Sequence, residues 1–184
     1  MIRCFVAVDI NDSVRQHLRL LQQEMRRFDA SLSYTDPGGT HVTLKFLSSI
    51  EEKVVARVRD SLSAAHPLPA FEFSVSGLGG FPRVESPRVF WAGVTPAEPL
   101  ASLQRTVEEA LAWMGIAESR PFHPHLTVAR VKEGKGLVPL IDYIRMNQGS
   151  FNAGVVSVPG YHLYQSVPVP GGVRYVKLAS FALS

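Results

Sequence analysis

The sequence predicts an α+β fold, bilobal and duplicated, with two antiparallel sheets facing one another across a central cleft and helices on the outer faces. Three observations carry that expectation. Short apolar runs of strand character alternate with amphipathic helical patterns along the whole chain. The segment His41-Val42-Thr43-Leu44 returns 84 positions later as His125-Leu126-Thr127-Val128. The opening run Arg3-Cys4-Phe5-Val6-Ala7-Val8 returns as Arg88-Val89-Phe90-Trp91-Ala92-Gly93, with Arg, Phe and Ala recurring 85 positions on. Two units are too few for a solenoid. A pseudo-twofold between half-lobes would instead bring the two His-x-Thr strands face to face. Residues 1–184 are therefore read as one bilobal domain, with halves near 1–84 and 85–184.

The elements follow in order. Ile2 to Ile10 is apolar and β-branched, a buried strand. Asn11, Asp12 and Ser13 are cap candidates for a helix whose inner face is Val14, Leu18, Leu21, Met25 and Phe28. Its other face carries Arg15, Arg19, Arg26 and Arg27, which read as solvated. Asp36-Pro37-Gly38-Gly39 is a turn that delivers the chain into His41. Ile50, Val54, Val55, Val58 and Leu62 suggest a second helix, closed by Pro67 and Pro69. Phe71 to Ser76 alternates as a strand. Gly77 to Pro82 reads as a glycine loop, but no helix start follows it, so it is not read as a phosphate loop. After the Arg88 strand, Thr95 and Pro96 signal a helix with inner face Leu100, Leu103, Val107, Leu111 and Met114, stopped by Gly115. The His125 strand is followed by a short helical pattern at Leu137, Leu140, Ile141 and Ile144. Strands at 151–158, 161–166 and 173–183 complete the chain.

Composition bounds the function. With 184 residues, 46% hydrophobic and 19% charged, the chain has the make-up of a globular protein with one sizeable core or two lobes sharing one. Nineteen Lys and Arg against 16 Asp and Glu permit a polyanionic partner without requiring one. The lone Cys4 excludes an internal disulfide, and its apolar strand makes it a buried small hydrophobe. No apolar run has membrane-spanning length and no signal-peptide pattern opens the chain. The expectation is a cytoplasmic protein, without membrane association, acting as a monomer.

In a strand, residues two apart share a face. His41 and Thr43 point one way while Val42 and Leu44 enter the core, and His125 and Thr127 stand likewise against Leu126 and Val128. Imidazole both gives and takes a proton near neutrality. Opposed histidines thus supply a general acid and a general base, the arrangement that in-line displacement at phosphorus requires. The threonines could bond the non-bridging oxygens, and Arg130 is the candidate cation for charge developing in the transition state. Lys45 is expected on the face of His41 and Thr43, adding charge there or lying at an exposed strand edge. Arg130 stands an odd number of positions from His125, so it reaches the cleft only if the strand ends or bulges before it. Otherwise it is structural. A zinc site from His41, His123 and His125 is the competing chemistry, but neither motif holds an Asp or Glu to close it. No cofactor or metal is expected. His17, His66 and His162 receive no role.

These motifs, with Arg3-x-Phe5, Leu44-Lys45-Phe46-Leu47 and Pro124-His125-Leu126-Thr127-Val128-Ala129-Arg130, resemble the two-histidine (2H) phosphoesterases. Within them the chain most resembles the RNA 2′,3′-cyclic phosphodiesterases, or 2′-5′ RNA ligase-like proteins, over essentially its whole length. The likeness includes Gly77 to Pro82, Arg88 to Val94 and Leu163-Tyr164-Gln165-Ser166. The resemblance implies a metal-free, bilobal enzyme acting on RNA or a nucleotide with a 2′,3′-cyclic phosphate end and leaving the phosphate on the 2′ oxygen. It implies His41 as proton donor to the leaving 3′ oxygen and His125 as acceptor from water. It further implies that Thr43, Thr127 and Arg130 hold the phosphate. Ser48 departs from the glycine common in the family. Two alternatives stay open. The reverse reaction would join a cyclic-phosphate end to a 5′-hydroxyl, against water at about 55 M. An RNA-end-binding module without turnover would have no need of an acid–base pair.

Overall fold

The computed structural model describes residues 1–116, 121–170 and 172–184. Strand β1 (Ile2–Asp9) is buried on both faces, as its apolar run implied: Cys4, Val6 and Val8 enter the main core, while Phe5 and Ala7 lie on the opposite face. Burial pushes the Cys4 thiol up to about 11, an inert buried group. Asn11 caps α1 (Asp12–Met25) by accepting the Val14 amide, and the helix stops three residues short of Phe28. Beyond a three-residue strand that the pattern did not reveal, β2 (Leu32–Tyr34), comes β3 (His41–Ile50). Ile50 therefore ends a strand rather than opening the helix, and α2 covers only Val55–Ser63.

Strand β4 (Phe71–Phe81) runs through the expected glycine loop. The reason is a close approach: a Cβ on Gly79 would stand 2.2 Å from the Trp91 indole. Gly79 is thus a strand residue that makes room for a neighbouring ring. Next come β5 (Val89–Thr95), α3 (Glu98–Ala110), β6 (His125–Val131) and α4 (Leu137–Met146). Thr95 closes β5 instead of capping α3, whose cap is Ala97. Strand β7 (Asn152–Val158) and the hairpin of β8 (Gly160–Val169) and β9 (Gly172–Ala182) finish the fold.

Two wholly antiparallel sheets result, with strand orders β3-β1-β8-β9 and β2-β6-β5-β4-β7. Each draws on both ends of the chain: β4 joins the second sheet, and β8 and β9 return to the first. The helices cross over too. α3 packs on β3 and α2 on β9, whereas α1 packs on β7 and β6 and α4 on β4. One continuous apolar cluster includes Val6, Leu44, Leu103, Leu126, Val128 and Leu140, from both sheets and their helices. The two motif strands, β3 and β6, touch. No helix among the described residues is long and apolar enough to cross a membrane.

Candidate active site

The turn before β3 is built to aim His41. Asp36 accepts the Gly38 amide at 3.0 Å, and Thr40 Oγ1 donates to the Asp36 carbonyl at 3.1 Å. Arg15 ties the turn to α1, donating to the carbonyls of Pro37 and Gly38 and, at 2.8 Å, to that of Ile10. Arg15 is thus not part of a solvated helix face; its guanidinium braces the loop. The Gly39 carbonyl so placed lies 2.8 Å from His41 Nδ1. A carbonyl only accepts, so Nδ1 carries hydrogen and Nε2 is the free nitrogen. The second motif repeats the device. His125 Nδ1 donates to the His123 carbonyl at 2.6 Å, again two residues upstream. Both imidazoles hence have the same tautomer, set by the same local geometry.

Beyond each His-x-Thr the strand bulges. Ala7 pairs with Thr43 but Val6 pairs with Lys45, leaving Leu44 as the extra residue. Trp91 pairs with Thr127 but Phe90 pairs with Ala129, leaving Val128 extra. Each bulge turns the following residues over. In β6 it returns Arg130, paired with Val89, to the face of His125 and Thr127, where it is exposed. The odd spacing that set Arg130 apart is resolved by the bulge. In β3 the same step corrects the expectation for Lys45. Lys45 points away from His41 and is fully buried under α3, its Nζ 2.5 Å from Glu108 and 2.8 Å from the Ile116 carbonyl. Phe46 takes the place equivalent to Arg130 and is exposed.

Aromatic rings wall each histidine. His41 stacks on Phe5 at 4.6 Å and meets the edge of Tyr175 at 5.1 Å. His125 meets the edge of Phe81 at 4.9 Å. Burial lowers the pKa of both imidazoles, partly offset by their carbonyl bonds. The remaining charges differ. Asp9 favours the protonated form of His41, with Arg15 opposing, while His123 and Arg130 both disfavour protonation of His125.

Asp9 was not singled out from the sequence, though a carboxylate ending an otherwise apolar strand was the available signal. Tyr164 donates to it at 2.5 Å and Lys177 at 3.0 Å, with His162 Nε2 at 3.5 Å. Burial works against the carboxylate, yet these partners bring its pKa below the ordinary value. His162, given no role above, also bonds Ser180 at 3.0 Å. A cavity of about 490 Å³ lined by Asp9, Asn11, Ser157, His162 and Ser180 borders this network and includes neither His41 nor His125. His123, of the zinc alternative, packs its ring near Phe81 and Trp91. Among the described residues no group of three or more His, Cys, Asp and Glu side chains could hold a metal ion.

Comparison with known proteins matches this architecture over the full chain. A protein of Methanothermobacter thermautotrophicus named RNA 2′,3′-cyclic phosphodiesterase is 33% identical over 186 residues, covering 99% of each chain. Its namesake from Archaeoglobus fulgidus is 34% identical over 180 residues, covering 98% of this chain and 99% of the relative. The crystal structure of TT0787 from Thermus thermophilus superposes with a TM-score of 0.81 at 26% identity, covering 99% of this chain and 98% of that one. E. coli LigT complexed with 3′-AMP shares the fold, with a TM-score of 0.78 at 23% identity, covering 100% of this chain and 98% of that one. The model of the 2′-5′ RNA ligase superfamily matches residues 16–158, a stretch containing both histidine motifs, and to that superfamily of two-histidine phosphoesterases the chain belongs.

Proposed function

We propose that this protein hydrolyses RNA 2′,3′-cyclic phosphate ends to 2′-phosphomonoesters by metal-independent acid–base catalysis. The observation that carries the reading is the matched pair of imidazoles on touching strands, each with Nδ1 held by a carbonyl two residues upstream. Each Nε2 is thereby left to exchange a proton with substrate. His125 Nε2 takes a proton from water as the water oxygen bonds to phosphorus. The bond from phosphorus to the 3′ oxygen breaks on the opposite side, and His41 Nε2 passes its proton to that oxygen. Thr43 and Thr127, on the faces of their histidines, bond the non-bridging oxygens, and Arg130 offsets the charge gathering there. The names of the relatives support the substrate class.

Product analysis on an oligonucleotide ending in a 2′,3′-cyclic phosphate tests the reading. The expected product is the 2′-phosphate, formed equally well after exhaustive EDTA treatment. Activity lost to EDTA and restored only by added Zn²⁺ or Mg²⁺ would overturn the metal-free mechanism. Supplying a 5′-hydroxyl acceptor in the same assay exposes joining, and binding without any product would reduce the protein to an end-binding module.

A further inference from the structure

The duplication makes the two histidine sites nearly equivalent, yet the chemistry needs them to be unlike. One difference stands directly across each motif. In the β1–β3 register the residue opposite His41 is Asp9. In the β5–β6 register the residue opposite His125 is Gly93, which has no side chain. Cross-strand partners share a face, so the Asp9 carboxylate lies on the side of the sheet that His41 occupies. It is also held there: Tyr164 donates to one oxygen and Lys177 to the other.

We propose that Asp9 is a positioning residue that breaks the twofold symmetry of the site, its clamped carboxylate making His41 the proton donor and leaving His125 the acceptor. This rests on the two-histidine reading above and specifies how that reading divides the roles. A carboxylate beside an imidazole stabilises the imidazolium. Among the described residues, the charged and titratable neighbours of His41 are these. Asp9 from β1 favours its proton, and Arg15 from α1 disfavours it to a lesser degree. Tyr164 from β8 and Tyr175 from β9 present rings to it, and Lys177 and His162 stand against Asp9. Among the described residues, the charged groups that act on His125 include no carboxylate; His123 and Arg130 favour its neutral form. The tyrosine serves the same end. Burial, then the hydrogen bond to Asp9 and the Asp9 charge, push its hydroxyl well above the ordinary range, so it remains a donor.

The test is an NMR titration of both imidazoles in the substrate-free enzyme, paired with the pH dependence of turnover. Asp9→Asn should move the His41 titration to lower pH and leave that of His125 in place. In turnover the alkaline limb should move to lower pH, with KM little changed. The rate near pH 8 should fall about three- to tenfold further than the rate near pH 6. A purely structural role would move neither limb selectively. Lys177→Met removes the cation paired with Asp9, leaves the carboxylate less compensated and should shift His41 the other way, and this variant decides the matter if Asp9→Asn does not fold. Unshifted His41 titration in the folded variants would overturn the assignment of Asp9 and leave the two-histidine reading standing. Full turnover in His41→Ala and His125→Ala would instead overturn that reading itself.

Discussion

His41→Ala and His125→Ala should each lower kcat by roughly 10²–10⁴ with much smaller changes in KM, because each imidazole acts on a proton in flight. The double variant should be far less impaired than the product of the two losses, since acid and base act as a unit. Thr43→Ala and Thr127→Ala should be milder, about 1.5–3 kcal/mol each for a hydrogen bond to a charged oxygen. Single-turnover kinetics on a cyclic-phosphate substrate, with melting curves for each variant, checks all four. Near-normal turnover in either folded histidine variant would count against the paired site. Residues of this kind were legible in the sequence because a polar side chain on a core strand is conspicuous when it repeats. Lys45 misled for the complementary reason. Face assignment by counting in twos fails at a bulge, and a single extra residue leaves no mark in composition.

At the level of elements, the β3 bulge sends a lysine beneath α3, where it bonds Glu108 and the Ile116 carbonyl. The Lys45 side chain is wholly buried while that of Glu108 keeps some contact with solvent. Removing the acid should therefore cost more than removing the base. Glu108→Ala is expected to destabilise by about 3–5 kcal/mol, because it strands a buried charge, and Lys45→Met by less. Urea denaturation of both variants measures the order, and the reverse order would show that helix packing dominates the pair. Farther along β3, Ser48 adopts φ +58°, a left-handed backbone. The residue type hid this turn; the glycine expected from family resemblance marked it. Ser48→Gly should relieve about 1–2 kcal/mol of strain, less the added freedom of the unfolded chain, for a net gain of about 0.5–1 kcal/mol. An unchanged or lower denaturation midpoint would refute that balance. The glycines of β4 misread as a loop show the same limit. Gly79 makes room for a tryptophan on the next strand, a partner that no local pattern contains.

For the whole molecule, burial makes the site a source of acid sensitivity. Both catalytic candidates have pKa values held below 6.5 in the folded state. Between that folded value and 6.5 the unfolded chain binds more protons, so stability rises with pH through this window. The contribution is complete above about pH 6.5 and is lost as pH falls through the folded value. Unfolding free energies at about pH 7.5 and 5 should thus differ less in the His41→Ala/His125→Ala double variant than in the native protein. An identical difference would mean that other groups carry the acid response. Legibility ends soonest at this scale. The repeat in the sequence announced two similar halves, and the order of elements, β2 aside, was readable from periodicity. Which sheet each strand joins was not, because β4, β8 and β9 read alike as apolar alternation whichever sheet receives them.

That exchange of strands between sheets governs how the molecule comes apart. A nick near Glu85 would leave an amino-terminal piece with β1 and β3 but without β8, the strand that flanks β1 on its other side. The carboxy-terminal piece would hold β5 and β6 yet lack β4, the neighbour of β5. Each fragment would expose the open flank of a sheet whose missing member resides in the other, and neither would contain both imidazoles. Reassembly of the two pieces would have to restore fold and site in a single event. The separation between the two imidazoles is accordingly written into how the backbone is threaded between the two sheets.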